Sequence, residues 1–294
     1  MFRRASGRRF ASEAIHFRDG NIIVKFRYNG INWSIYDEGN GKALVFLHGF
    51  PFDRRLYQGA CQSLTDRYRV LIPDLPGFGK SQFQSGTEGP SCLEMSDFAD
   101  GLAALLDELD ESNAVICGLS MGGYIAMQFF RRHSDQLAGL IFCDTRSTPD
   151  IPSVAEKRRV LADSVHNTGA APLADQMIPA LLSPKTIAEN PDVVSSLTEM
   201  ISEQLPSGIA AAARGMAARD DSTQFLKDIT VPTLVMVGED DHISPPEAMR
   251  EMANIISKSE FCTVPGAGHL PPLENPLFFT EAVRQFAGRV YGEE

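Results

Sequence analysis

The 294-residue sequence has no apolar run approaching the roughly 20 residues that a membrane helix needs. It has no CxxC pair and no His/Cys/Asp cluster at metal-ligand spacing, so neither a metal nor a cofactor is expected. Basic residues are few: 27 Lys and Arg stand against 38 Asp and Glu, for a net charge of -11. An acidic surface repels phosphate backbones and anionic membrane leaflets, which argues against nucleic-acid and membrane partners. Phosphate loops are missing too. Gly79-Lys80-Ser81 would need a glycine at position 74, which is Asp74, and GlyPheGly (77–79) runs into Gln82 instead of a third glycine. The cysteines are Cys61, Cys92, Cys117, Cys143 and Cys262, an odd count. Cys117 and Cys143 lie in apolar runs, where a free thiol behaves as a small hydrophobe, and a reduced, cytoplasmic setting is expected. The opening MFRRASGRRF carries four arginines and no acid but lacks the apolar stretch of a secretory signal. Residues 1–20 are therefore read as a disordered basic tail, with organelle targeting as the other reading.

What is present is an ordinary globular balance, 43% hydrophobic and 22% charged, on a chain long enough for a large core. Asn29-Gly30 separates two β-rich runs, Asn21–Tyr28 and Ile31–Tyr36, and signals a hairpin. Short, wholly apolar runs follow at 43–47, 70–72, 114–117, 140–143 and 233–237, with a weaker one at 260–264. Such runs read as strands buried on both faces. Helical periodicity lies between them, at Leu93–Leu109, Met121–Arg132, Pro246–Ile256 and Leu277–Val290. The alternation predicts an α/β fold with a mostly parallel sheet and helices on both faces. Residues 147–225 contain no convincing strand and are punctuated by prolines, which predicts an inserted helical lid. The core is then 21–146 and 226–294.

The chemistry centres on Gly118-Leu119-Ser120-Met121-Gly122-Gly123. It matches G-x-S-x-G and falls between a buried strand and a helix, the setting in which a sharp turn exposes a serine hydroxyl. A serine needs a base, and His269 sits in a glycine loop after the last strand. The base needs an acid to fix its tautomer, and Asp240 and Asp241 both stand at the end of strand 233–237. The order Ser, Asp, His is the order an α/β sheet of this kind uses. An oxyanion hole needs two N–H groups aimed at one point. The expected donors are Met121, directly after the serine, and Phe50 of His48-Gly49-Phe50-Pro51. His48 is expected to stabilise that loop rather than act as base.

On HisGlyPhePro (48–51), AspLeuProGlyPheGlyLysSer (74–81), the elbow 118–123, GlyGluAspAspHisIleSerPro (238–245) and GlyAlaGlyHis (266–269), residues 21–294 resemble the α/β-hydrolase superfamily. The resemblance implies a mostly parallel eight-stranded sheet with an inserted helical lid. In similar members the acid lies three residues after the strand-end glycine and four before a proline, which implies Asp241. The segment from His48 to Tyr57 resembles oxoadipate enol-lactonases and non-haem haloperoxidase or perhydrolase-type esterases, although those usually carry tryptophan where this chain has Tyr57. Serine at position 120 separates the chain from dehalogenases and epoxide hydrolases of the same fold, which place aspartate there.

The expected function is therefore hydrolysis of a carboxylic ester or lactone of a small, largely apolar substrate through a serine acyl-enzyme. Ser120, Asp241 and His269 would carry the reaction. Phe52 and Leu270 flank the catalytic positions as candidate pocket walls, and Arg146 is a candidate partner for a substrate carboxylate, with a surface salt bridge as its other reading. Perhydrolysis, C–C bond hydrolysis and acyl transfer would use the same triad. A lid-gated ligand receptor with weak hydrolase activity is the alternative of another class.

Overall fold

Runs that are apolar at every position need cover on two faces, and the chain supplies it with one sheet and flanking helices. The structure, a computed structural model, describes residues 13–16, 22–83 and 89–293. The strands are β1 (Glu13–His16), β2 (Ile22–Tyr28), β3 (Ile31–Glu38), β4 (Lys42–Leu47), β5 (Tyr68–Asp74), β6 (Ala114–Leu119), β7 (Leu137–Cys143), β8 (Thr233–Gly238) and β9 (Ser259–Val264). They form one sheet in the order β1-β2-β3-β5-β4-β6-β7-β8-β9. The first three strands and the β3–β5 pair are antiparallel. From β5 to β9 every neighbour is parallel.

Eight of these strands are the ones expected. The ninth, β1, falls inside the segment read as a tail: Glu13–His16 pairs with the free edge of β2, so a tail reading does not hold for those four residues. The rest of that segment, 1–12 and 17–20, lies outside the described residues. The β2–β3 hairpin turns through Asn29 and Gly30, both at positive φ, as the Asn-Gly pair predicts.

Helices α1 (Arg55–Cys61), α2 (Met95–Glu108) and α3 (Met121–His133) connect the early strands. Helices α4 (Pro152–Thr168), α5 (Ala171–Leu181), α6 (Pro184–Glu189), α7 (Pro191–Ser202) and α8 (Pro206–Ala217) fill the stretch between β7 and β8. Each of these five has proline in its first turn, where the missing N–H costs no helical bond. The prolines that punctuate this stretch are thus largely helix starts. After β8 come α9 (Pro246–Ile255), α10 (Pro271–Glu274) and α11 (Pro276–Tyr291). Helices α1 and α10 were too short to show a hydrophobic period. Helices α2 and α3 pack together, as do α1 and α11. Between them Phe46, Phe98, Phe129, Phe142 and Phe286 are completely buried. All five cysteines are free thiols, and Cys61, Cys117 and Cys143 are buried.

The parallel strands end on the same side of the sheet, and the loops after β4, β6, β7, β8 and β9 meet there. Helix α8 docks against that side. The Leu93 N–H donates to the Ala211 carbonyl at 3.1 Å. The buried Gln204, between α7 and α8, donates to Asp53 at 3.0 Å and accepts from the Gly79 N–H at 2.9 Å. Among the described residues no helix is long and apolar enough to cross a membrane.

Candidate active site

Ser120 sits between β6 and α3 with φ 53° and ψ -111°, a conformation costly for any residue with a Cβ. Hydrogen bonds to its backbone hold it there. Its N–H donates to the Cys143 carbonyl at 3.0 Å, and its carbonyl accepts from the Gly123 N–H at 2.9 Å and from the Thr145 hydroxyl at 2.8 Å. The glycines two positions either side are required by close approach. A Cβ on Gly118 would lie 2.3 Å from the Gly122 carbonyl oxygen, and one on Gly122 would lie 2.1 Å from that of Leu47. The elbow can be this sharp only because those side chains are absent.

The loop after β4 lies beside the elbow. His48 is wholly buried and uses both ring nitrogens. Nδ1 donates to the Gly49 carbonyl at 2.8 Å, and Nε2 accepts from the Leu75 N–H at 2.9 Å. Burial pulls its pKa down to about 4, against the Gly49 carbonyl and Asp53. A neutral imidazole so engaged is a structural strut, as its place in the loop suggested. Among the described residues the Phe50 and Met121 N–H groups have no protein acceptor. For Met121 this follows from its place in the first turn of α3, where helical N–H groups lack partners.

The loops after β8 and β9 bring Asp241 and His269 together. The Nδ1 of His269 lies 2.9 Å from Asp241 Oδ2, and both residues are almost fully buried. The other Asp241 oxygen accepts the Ile243 N–H at 2.7 Å and the Ser244 N–H at 3.1 Å. Burial raises the Asp241 carboxyl, but the His269 ring and the surrounding hydrogen bonds outweigh it and hold the pKa down to about 2. An acceptor-only carboxylate makes Nδ1 the protonated nitrogen, leaving the Nε2 lone pair free. Neither Nε2 nor the half-buried Ser120 hydroxyl has a hydrogen-bond partner among the described residues. Of the two adjacent acids, Asp241 meets the imidazole, while the Asp240 N–H anchors to the Ala267 carbonyl at 2.8 Å.

Phe52 and Leu270 are fully buried, and Phe50 is nearly so. Phe52 packs beneath Gly49 beside Leu119. Arg146 is half-buried. Its guanidinium donates to the Ile243 carbonyl, which the acid loop turns toward it.

Several contributors carried no motif. Asp144, after β7, is fully buried against Asp241 and His269, the three offering one ligand atom each within 4.8 Å of one another. This is the one group among the described residues with donor atoms placed for a metal. Its His269–Asp241 hydrogen bond and two carboxyls in contact equally suit sharing of protons. Glu274 steadies the histidine loop: one oxygen accepts the Gly268 and Leu270 N–H groups, the other the Ser183 N–H. Asp144 lies at the C-terminal end of a buried strand, the same signal that singled out Asp241. Glu274 gave none, because its role depends on how α10 folds back.

A strained serine between strand and helix, a buried His–Asp pair across the same sheet edge and an unfilled pair of N–H groups define the framework of an α/β hydrolase. The chain belongs to the alpha/beta hydrolase fold family, whose model matches residues 42–276. It is 43% identical to a thermophilic esterase from Thermogutta terrifontis, with a TM-score of 0.87 over 91% of this chain and 98% of that one. It is 25% identical to the enol-lactonase of Burkholderia xenovorans, with a TM-score of 0.80 over 88% of this chain and 97% of that one. It is also 26% identical to the pimeloyl acyl-carrier-protein methyl ester esterase of Vibrio cholerae, over 87% of this chain and 98% of the relative.

Proposed function

We propose that the protein hydrolyses a carboxylic ester or lactone of a small, largely apolar substrate through an acyl-enzyme on Ser120. The observation that carries this reading is the buried Asp241–His269 pair, at 2.9 Å, on the sheet edge that also presents Ser120. Similarity over nearly the full chain to an esterase and an enol-lactonase supports it.

His269 Nε2 takes the Ser120 hydroxyl proton as Oγ bonds to the acyl carbon. The carbonyl oxygen becomes an oxyanion and accepts the Phe50 and Met121 N–H groups, while Asp241 stabilises the imidazolium. The carbon–oxygen bond to the leaving alcohol breaks, and that oxygen takes the proton from Nε2. In a lactone the alcohol stays tethered. Water then gives a proton to Nε2 and attacks the acyl carbon, and the Ser120 oxygen leaves with that proton. Phe50, Phe52 and Leu270 form the apolar surround, and α4–α8 act as the lid over it. Phe52 acts from below the loop, by packing, since it is fully buried.

The test is turnover of p-nitrophenyl esters from acetate to octanoate, beside Ser120→Ala. The wild type is expected to turn over with a preference for short chains, and the variant to lose on the order of 10⁵–10⁶ in kcat. Equal rates in the two proteins sink the nucleophile assignment.

A further inference from the structure

Asp144 is the buried acid at the sheet edge that the mechanism above leaves without a role. It follows β7 with φ 45°, a turn fixed by its N–H donating to the Met236 carbonyl at 3.0 Å. That turn aims the carboxyl across the sheet, where one oxygen accepts the Gly238 N–H at 2.8 Å and the other lies 3.1 Å from the Cys143 thiol. Its carboxyl meets that of Asp241 directly, and no Lys or Arg among the described residues pairs with it.

Two buried carboxyls in contact do not both ionise, because each charge lacks water and repels the other. Burial first, then the Asp241 charge, push Asp144 well above the ordinary carboxylate range, while Asp241 is held down. The other titratable groups packed here do not change this. The thiols of Cys143 on β7, Cys117 on β6 and Cys262 on β9 are all pushed up by burial, and so stay neutral. Glu274, behind the histidine loop, is occupied by backbone N–H groups, and Arg146 by the Ile243 carbonyl. On the acid loop Glu239 and His242 are exposed and Asp240 is half-buried.

We propose that Asp144 is a positioning residue of this site: a neutral carboxylic acid whose O–H donates to the Asp241 carboxylate, so that one negative charge, held in one orientation, faces His269. The proposal rests on the Ser120–His269–Asp241 reading. Asp241 then has a donor on every side: the Ile243 and Ser244 N–H groups, the imidazole, and Asp144. A second negative charge beside the ring would favour its protonated form and withdraw the base from neutral solution.

Asp144→Asn and Asp144→Ala test this. Asparagine keeps an N–H donor toward Asp241 and an oxygen for the Gly238 N–H, without charge. It is expected to hold kcat within about threefold and to leave the acid limb of the kcat/KM profile in place. Alanine removes the donor, and kcat is expected to fall about tenfold or more with KM little changed. The infrared carbonyl band of a protonated carboxylic acid at pH 7, present in the wild type, should be missing from Asp144→Asn. The proposal is overturned if the acid limb of Asp144→Asn moves down by about a unit, since that means a charge was removed. It is overturned equally if the infrared band is unchanged, or if a folded Asp144→Ala keeps wild-type kcat. The infrared result is read without turnover. A rate that survives in Ser120→Ala therefore sinks the nucleophile reading alone, while the protonation of Asp144 is judged separately.

Discussion

Gly238→Ala should disable the site without touching any reacting group. Gly238 ends β8, and the histidine loop crosses directly over it. A Cβ built there lies 1.8 Å from the Gly268 carbonyl oxygen and 2.6 Å from that of Ala267. Both atoms are backbone, so no side chain can swing aside. To reach an ordinary contact the two loops must separate by about 1.5 Å. The Asp240 N–H bond to Ala267, at 2.8 Å, breaks with that movement, and the 2.9 Å Asp241–His269 pair is pulled apart with it. A misplacement of about 1 Å in a reacting group is enough for a loss of roughly 10²-fold. We therefore expect kcat for a p-nitrophenyl ester to fall about 100-fold, with a stability loss of about 1–3 kcal/mol from overpacking. Gly59→Ala is the matched control: it lies in α1, and nothing stands within 4 Å of its Cβ position. It should keep full activity and gain up to about 1 kcal/mol from helix propensity. Urea melts and ester kinetics on both variants decide the matter. A folded Gly238→Ala with kcat within about threefold of wild type refutes the claim that loop crossing sets the pair's geometry.

Three further expectations follow from the same contacts. Asp241→Asn should lower kcat by on the order of 10³–10⁴ through loss of the imidazole's orienting charge, while Asp240→Asn stays within about threefold; the reverse ranking in ester assays would reassign the acid. For His48 the folded pKa of about 4 lies below the ordinary 6.5, so the unfolded chain binds the extra proton between those values. Stability is then fully present above pH 6.5 and falls as pH drops toward 4, by about 3 kcal/mol over the window. Urea melts at pH 7 and 4.5 should show His48→Asn losing markedly less than wild type, and parallel losses would contradict it. Gln204→Ala removes the link from Asp53 to Gly79 and leaves buried polar groups unpaired, at about 1–3 kcal/mol. Since Asp53 lies three residues past Phe50, kcat/KM should fall as well. Unchanged melts together with unchanged kinetics would show that the α7–α8 corner is not what steadies the oxyanion loop.

What could be read from the sequence, and what could not, follows the range of each interaction. The elbow was legible because the constraint is local: Gly118 and Gly122 are dictated by contacts within one strand–turn–helix unit, apart from the Leu47 carbonyl. The strands were legible because a parallel strand is buried on both faces and reads as an unbroken apolar run, as at 43–47 and 114–117. Strand β1 was not, since Glu13–His16 has no such run and is defined only by the edge it meets. Asp144, Glu274 and Gln204 were missed for a related reason. Each is a polar residue with a partner 91 to 151 positions away, and Glu274 adds two near ones, Gly268 and Leu270, that only the fold-back of α10 brings to it. The contact of Arg146 with the Ile243 carbonyl was not legible either, because the two are 97 positions apart. These long-range polar contacts do more than decorate the motif-bearing loops. The acid loop is held by Arg146 and Asp144, the histidine loop by Glu274, and the oxyanion loop by Gln204 and His48. The acid, histidine and oxyanion loops are thus each held by a polar side chain outside their motifs, namely Asp144, Glu274 and Gln204, and the precision of the site depends on residues that no motif names.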